Sequence, residues 1–129
     1  MNIEKFTINS SKRIQEAQDM ANRNKSAQIF PLHLLASMLS SSDSLVKEIL
    51  LELGVDLQVI SANIKKELGK VPSVSGNYQL SLSNDLNTVF IEAEKIAERN
   101  KDSYITEEHL LLALIDFADT STKSTFSSL

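Results

Sequence analysis

Two histidines, His33 and His109, and the adjacent carboxylates Glu107 and Glu108 are the residues whose types suggest chemistry. Two histidines with no clustered third ligand make a poor metal site, so a structural role near a helix start, through packing or local hydrogen bonding, is the expectation for both. Neighbours on a helix diverge by about 100° and do not face one another, so Glu107 and Glu108 read as carboxylates at a positive helix end and not as an acid/base pair. There is no glycine-rich loop ending in Gly-Lys-Ser/Thr, no Gly-x-Ser-x-Gly, no His-Glu-x-x-His and no cysteine. The patterns that would carry nucleotide binding, nucleophilic catalysis or zinc chemistry are therefore missing, and no cofactor or metal is expected on this chain. What remains is binding.

The elements that must position a binding surface follow from composition and pattern. With 13 Lys+Arg against 17 Asp+Glu and no basic cluster, the electrostatic footprint of a nucleic-acid-binding module is missing. No window approaches the roughly 18 apolar residues of a membrane span, and the start of the chain has no signal-peptide pattern. The expectation is a cytoplasmic protein with neither nucleic acid nor membrane as partner. Only three Gly and two Pro punctuate 129 residues, a scarcity that favours long helices over a turn-rich β fold. An all-α domain is expected.

The chain also repeats itself. Residues 14–39 align without a gap on residues 90–115 at an offset of 76 positions, the spacing of Glu16 from Glu92. Identical pairs include Ala17/Ala93, Ala21/Ala97, Arg23/Arg99, Asn24/Asn100, Lys25/Lys101, Ile29/Ile105, His33/His109, Leu34/Leu110 and Leu35/Leu111. The apolar exchanges Ile14/Phe90, Met20/Ile96 and Met38/Leu114 keep the same phase. We read an internal duplication.

Each copy opens with an amphipathic helix, carried by Ile14, Ala17 and Ala21 in the first and by Phe90, Ala93, Ile96 and Ala97 in the second. Thr7 and Ser83 stand at equivalent positions before these helices and are candidate N-caps. In the second copy Thr106 can cap the next helix, with Ile105 stapling onto Leu110. In the first, Pro31 takes the starting role with Ile29 and Leu34 as the staple. Residues 45–53 form a third helix that stops at Gly54, and Asp56 caps a fourth carrying Leu57, Ile60, Ile64 and Leu68 up to Gly69. The organisation is one domain: repeat one over about 6–69, a linker over 70–81 marked by Pro72 and Gly76, and repeat two over about 82–129. Helices five and six are expected between about Leu82 and Phe117.

The doubled unit with its two His-Leu-Leu stretches, the Leu-Gly-Val-Asp junction at 53–56 and the Pro-containing linker closely resembles the N-terminal domain of the Clp ATPase unfoldases. Residues 70–76, KVPSVSG, and 102–114, DSYITEEHLLLAL, look more like the ClpB-type disaggregases than the protease-associated ClpA and ClpC types. The resemblance covers Phe6 to about Ile115 and implies two pseudo-symmetric four-helix repeats. It also implies a flexible tether to two ATPase modules that form a homohexameric ring, with ATP and Mg confined to those modules. The implied function is capture of unfolded or aggregated protein clients in an apolar groove with a polar rim. Carried over residue by residue, the rim would include Thr7, Asp102 and Glu108, and Phe90 and Ile96 are candidates for the groove floor. For Thr7 a plain N-cap, for Asp102 a loop residue and for Glu108 a first-turn carboxylate account for the residue equally well. For Phe90 and Ile96, core packing is the better account. Two other functions are consistent with the same pattern: docking of an adaptor protein, as in ClpC- or ClpA-type unfoldases, and a free-standing helical structural protein.

The chain departs from the family pattern at its end. Two full copies would need about 152 residues, so about 23 are expected to be missing from the second repeat. Ser124–Leu129 look like the start of a seventh helix, and Phe126 and Leu129 like a remnant of its apolar cover. Disorder beyond Phe117, or apolar contact with a neighbouring molecule, is the expectation there.

Overall fold

A computed structural model describes residues 3–127. It is all-helical apart from two two-residue strands. After a 3-10 turn at Ile3–Lys5 come α1 (Ile8–Arg23), β1 (Gln28–Ile29), α2 (Pro31–Ser40), α3 (Leu45–Glu52) and α4 (Leu57–Leu68). The second copy follows as β2 (Ser81–Leu82), α5 (Asn84–Arg99), α6 (Glu107–Phe117) and the short α7 (Thr120–Ser124). Residues 70–80 between them form neither helix nor strand. The fold is thus two helical sub-bundles of which the second is the shorter.

The helix boundaries follow the capping chemistry of the sequence. The side chains of Thr7, Ser44, Asp56, Ser83 and Thr106 accept backbone N–H groups in the first turns of α1, α3, α4, α5 and α6. These are donors that a helix start leaves unpaired. α2 instead begins on Pro31, whose missing N–H costs nothing at that position. α3 ends where Gly54 takes φ +81°, letting Gly54 N–H reach Leu51 O and Val55 N–H reach Leu50 O. The same pair of bonds closes α1 and α5, but with Lys25 (φ 55°) and Lys101 (φ 59°) in the left-handed position where glycine is usual. Both copies keep this strained ending.

The duplication is visible in the backbone pairing. Phe6, before α1, bridges in parallel to Ile105, before α6, and Thr7 N–H donates to Ile105 O at 3.0 Å. The counterparts at +76 and −76 repeat the arrangement: β2 pairs in parallel with β1, matching Leu82 to Ile29, and Ser83 N–H donates to Ile29 O at 3.1 Å. Each copy's entry segment pairs with the other copy's mid-segment, so neither copy completes its backbone bonds alone. These strands were not expected; two residues are too few to show an alternating pattern.

The core lies at the junction. α2 is buried along nearly its whole length, from Pro31 to Met38, and it touches α1, α3, α4, α5, α6 and α7. α1 packs on α2 as α5 packs on α6, with Ala17 and Ala21 in one pair and Ala93 and Ala97 in the other buried at the close approach. The tail differs from expectation. α7 begins at Thr120, before the position expected for a seventh helix, and lies against α2, α4 and α6. Its polar residues satisfy one another: Thr122 Oγ1 donates to Asp119 Oδ1 at 2.7 Å, and Thr125 Oγ1 donates to Thr122 O at 2.6 Å. Asn63 of α4 donates to Thr125 O at 3.1 Å, and Phe126 packs against the core. Threonine hydroxyls paired in this way can be buried where unpaired ones could not, so the segment from Thr120 to Phe126 packs into the fold. The expectation for Leu129 lies outside the described residues.

Candidate functional site

Three helix starts converge on one hollow. The entry of α1 contributes Phe6, Thr7, Ile8 and Asn9, the first residue of α3 contributes Leu45, and the approach to α6 contributes Tyr104, Thr106, Glu107 and Glu108. The hollow is open to solvent and its volume is about 760 Å³. Ile8 is 79% exposed and Tyr104 57% exposed, so two large apolar side chains face solvent across a floor formed by the buried Phe6. Polar groups of Thr7, Thr106 and Glu108 border these apolar side chains. A second hollow of about 380 Å³ shares Thr7, Tyr104, Thr106 and Glu108 and extends to Asp102, His109 and Leu112.

The residues expected at the rim therefore come together. Thr7 and Glu108 line both hollows and Asp102 lines the second. Thr7 is also an N-cap, since its Oγ1 accepts Ser10 N–H at 3.1 Å. Phe90 and Ile96 line neither hollow. Both are buried in the core, Phe90 edge-on against Phe6 with ring centroids 5.6 Å apart, so it backs the groove floor from behind.

Asp102 is oriented by His109. The imidazole Nδ1 accepts Thr106 N–H at 2.9 Å, which leaves the proton on Nε2, and Nε2 donates to Asp102 Oδ2 at 2.9 Å. In the first copy His33 Nδ1 accepts Phe30 N–H at 2.9 Å in the same way. The position of Asp102 is there held by Ser26, whose hydroxyl donates to Gln28 O, so among the described residues His33 Nε2 is buried without a partner. Burial pushes the His33 pKa down to about 4. Both histidines are structural parts of helix starts. Among the described residues no group of three or more His, Cys, Asp and Glu side chains could hold a metal ion.

Glu107 is more than a helix-end carboxylate. It is buried and pairs with Arg13 of α1, which is 0% exposed, at 3.4 Å from Arg13 Nε to Glu107 Oε1. Its Oε2 accepts Leu45 N–H at 3.2 Å. Arg13 Nη2 also donates to Asp43 Oδ1 at 2.8 Å, and that hydrogen bond holds the Asp43 carboxyl below its ordinary range. Sequence reading missed this pair, although the duplication carried a signal. Arg13 stands where the second copy has Val89, and Glu107 where the first copy has Pro31, so two opposite charges each replace an apolar counterpart.

The family model for the Clp repeat (R) N-terminal domain matches residues 5–129. The chain belongs to the Clp N-terminal domain family. This Clp N-terminal domain is 35% identical over 127 residues to the chaperone protein ClpB of Clostridium tetani, covering 95% of this chain and 15% of that protein. It is 39% identical over 116 residues to ClpB of Rhodopseudomonas palustris, covering 88% of this chain and 13% of that one. The chain thus spans a small fraction of the length of the curated relatives it matches. Among solved structures, the Hsp104 N-terminal domain from Candida albicans aligns with a TM-score of 0.85 and 28% identity over 95% of this chain and 79% of that one. A ClpV N-domain, in a complex with a VipB peptide, shares the fold with a TM-score of 0.78 and 16% identity over 98% of this chain and 79% of that one. The Clp N-terminal domain described here has no nucleotide-binding loop or catalytic motif, and no helix among its described residues is long and apolar enough to cross a membrane.

Proposed function

We propose that this domain is the client-binding module of a ClpB-type disaggregase. It captures exposed apolar segments of unfolded or aggregated proteins in the groove at the α1, α3 and α6 starts and passes them to the ATPase ring of the full-length protein. The observation that carries this reading is the pairing of exposed Ile8 and Tyr104 over the Phe6 floor with Thr7, Asp102 and Glu108 at the rim. A shallow apolar surface of this kind suits clients of many sequences. Each fully buried apolar side chain contributes about 1.5–3 kcal/mol, and partial burial in an open groove yields less, so single clients bind weakly and broadly.

A ClpV N-domain of the same fold forms a complex with a VipB peptide, which favours a second reading for this chain, docking of a defined partner segment such as one carried by an adaptor protein. The two readings separate in one titration. The domain is mixed with a labelled model protein in its permanently unfolded form and in its native form. Client capture predicts binding of the unfolded form alone, and equal or absent binding of both forms refutes it. Retention of a recognised Clp adaptor on the immobilised domain, without binding of unfolded protein, favours docking.

A further inference from the structure

Arg13 is a cation without solvent, and the apolar core around it does not require one. Its guanidinium reaches Asp43 Oδ1 at 2.8 Å, Glu16 Oε1 at 3.3 Å and Glu107 Oε1 at 3.4 Å. Glu107 is itself 3% exposed, and its second oxygen accepts Leu45 N–H at 3.2 Å. The connection therefore runs from α1, by a charge contact in which Glu107 Oε1 accepts no hydrogen bond among the described residues, through the first residue of α6 to the first residue of α3, and so touches all three walls of the groove. At the pseudo-symmetric positions the fold uses Val89 and Pro31, so this architecture can be packed without the charges. Buried ion pairs often return no more stability than their desolvation costs, yet they impose strict geometry, because either partner displaced becomes an unpaired buried charge.

We propose that Arg13 and Glu107 are positioning residues for the groove: together they hold Leu45 and the start of α3 against the start of α6, and so set the groove's width. Leu45 is the α3 contribution to the lining, and its backbone N–H is the atom that Glu107 grips. The functional consequence rests on the client-binding reading above, whereas the geometric one does not. Arg13 lies outside the groove lining, and Glu107, which borders it, is 3% exposed. Their effect passes through the placement of Leu45 relative to Ile8 and Tyr104.

The test uses the chain carrying Arg13→Met and Glu107→Leu together, which removes both charges while keeping side-chain volume. Three readouts are taken: thermal stability, amide hydrogen exchange at Leu45, and affinity for the unfolded model protein. The expected result is a folded variant with a melting temperature near that of the unsubstituted chain. Its Leu45 amide exchanges roughly tenfold faster, and its affinity for unfolded protein falls roughly tenfold because the groove wall is no longer fixed. A folded variant with unchanged Leu45 exchange and unchanged affinity overturns the proposal. If the double variant does not fold, Glu107→Gln supplies the same readouts: it keeps an acceptor for Leu45 but uncouples it from Arg13. Faster Leu45 exchange then supports the proposal and unchanged exchange overturns it. If the unsubstituted chain does not distinguish unfolded from native protein, the client-binding reading fails by itself, and Leu45 exchange still decides whether Arg13 and Glu107 position α3.

Discussion

Protonating His33 costs the fold stability, and the structure fixes the pH window. The ring is 0% exposed, its Nδ1 is occupied by Phe30 N–H, and its Nε2 has no partner among the described residues. Burial holds its pKa near 4 in the folded chain, against 6.5 for the exposed side chain. Below pH 6.5 the unfolded chain takes up a proton that the folded chain refuses, so stability is fully present above pH 6.5 and falls as pH drops toward 4. Working the linkage from those two values gives a loss of about 2 kcal/mol between pH 7.5 and pH 5. The carboxyls held below their ordinary range, Asp43 by Arg13 and Glu67 by Lys70, act in a lower window. Their contribution is lost only as pH falls through and below the ordinary values of 3.8 and 4.5. Urea unfolding followed by circular dichroism at half-unit steps from pH 7.5 to 5 measures the slope. His33→Gln keeps a side chain able to accept Phe30 N–H and has no proton to gain, so its stability stays flat over that range while the unsubstituted chain declines. Parallel curves for the two chains would refute the reasoning.

Two further outcomes follow from local geometry. Lys25→Gly relieves a left-handed lysine at the end of α1 and stabilises by about 0.5–1 kcal/mol, the strain removed exceeding the added backbone entropy of the unfolded chain; chemical denaturation checks it, and a loss of stability contradicts it. Thr7→Ala removes the α1 cap and costs about 1 kcal/mol, whereas Thr7→Ser keeps the hydroxyl and restores it. If client affinity falls in Thr7→Ala but returns in Thr7→Ser, the hydroxyl serves the rim as well as the cap.

The parts of the fold that were legible in the sequence are those written in short-range chemistry. The caps at Thr7, Ser83, Asp56 and Thr106 and the stop at Gly54 need only neighbours within a turn. The duplication adds long-range information, because a helix pair seen twice at an offset of 76 must be one unit used twice. The Phe6–Ile105 bridge and its Ile29–Leu82 counterpart exchange segments between copies, and single extended residues leave no periodic trace. The tail was expected to be disordered or to lean on a neighbouring molecule because the second repeat counted short of a full copy, and that count carries no sign of local pairing. Thr122 and Thr125 are in fact buried with their hydroxyls paired inside one turn.

The candidate site divides along the same line. Its rim came from resemblance, and the structure brings Thr7, Asp102 and Glu108 to one place. Its apolar wall was not anticipated. Ile8, Leu45 and Tyr104 belong to three separate helix starts and are exposed, so none of them falls on a buried stripe that periodicity would reveal. The duplication does mark two of them. The counterparts of Ile8 and Tyr104 are Asn84 and Gln28, so one side of the pseudo-dyad is apolar where the other is polar.

That contrast supplies the most direct test of the central claim, that the exposed apolar wall binds unfolded protein. Ile8→Asn with Tyr104→Gln converts the groove to the side chains of its own pseudo-symmetric counterpart, at positions already exposed in the fold. The measurement is the dissociation constant for a labelled unfolded model protein, by fluorescence anisotropy, on the unsubstituted and doubly substituted chains. The account predicts binding by the first and at least about tenfold weaker binding by the second, since two large apolar contacts are lost, with melting temperatures alike. Equal affinity in two equally stable chains would contradict it.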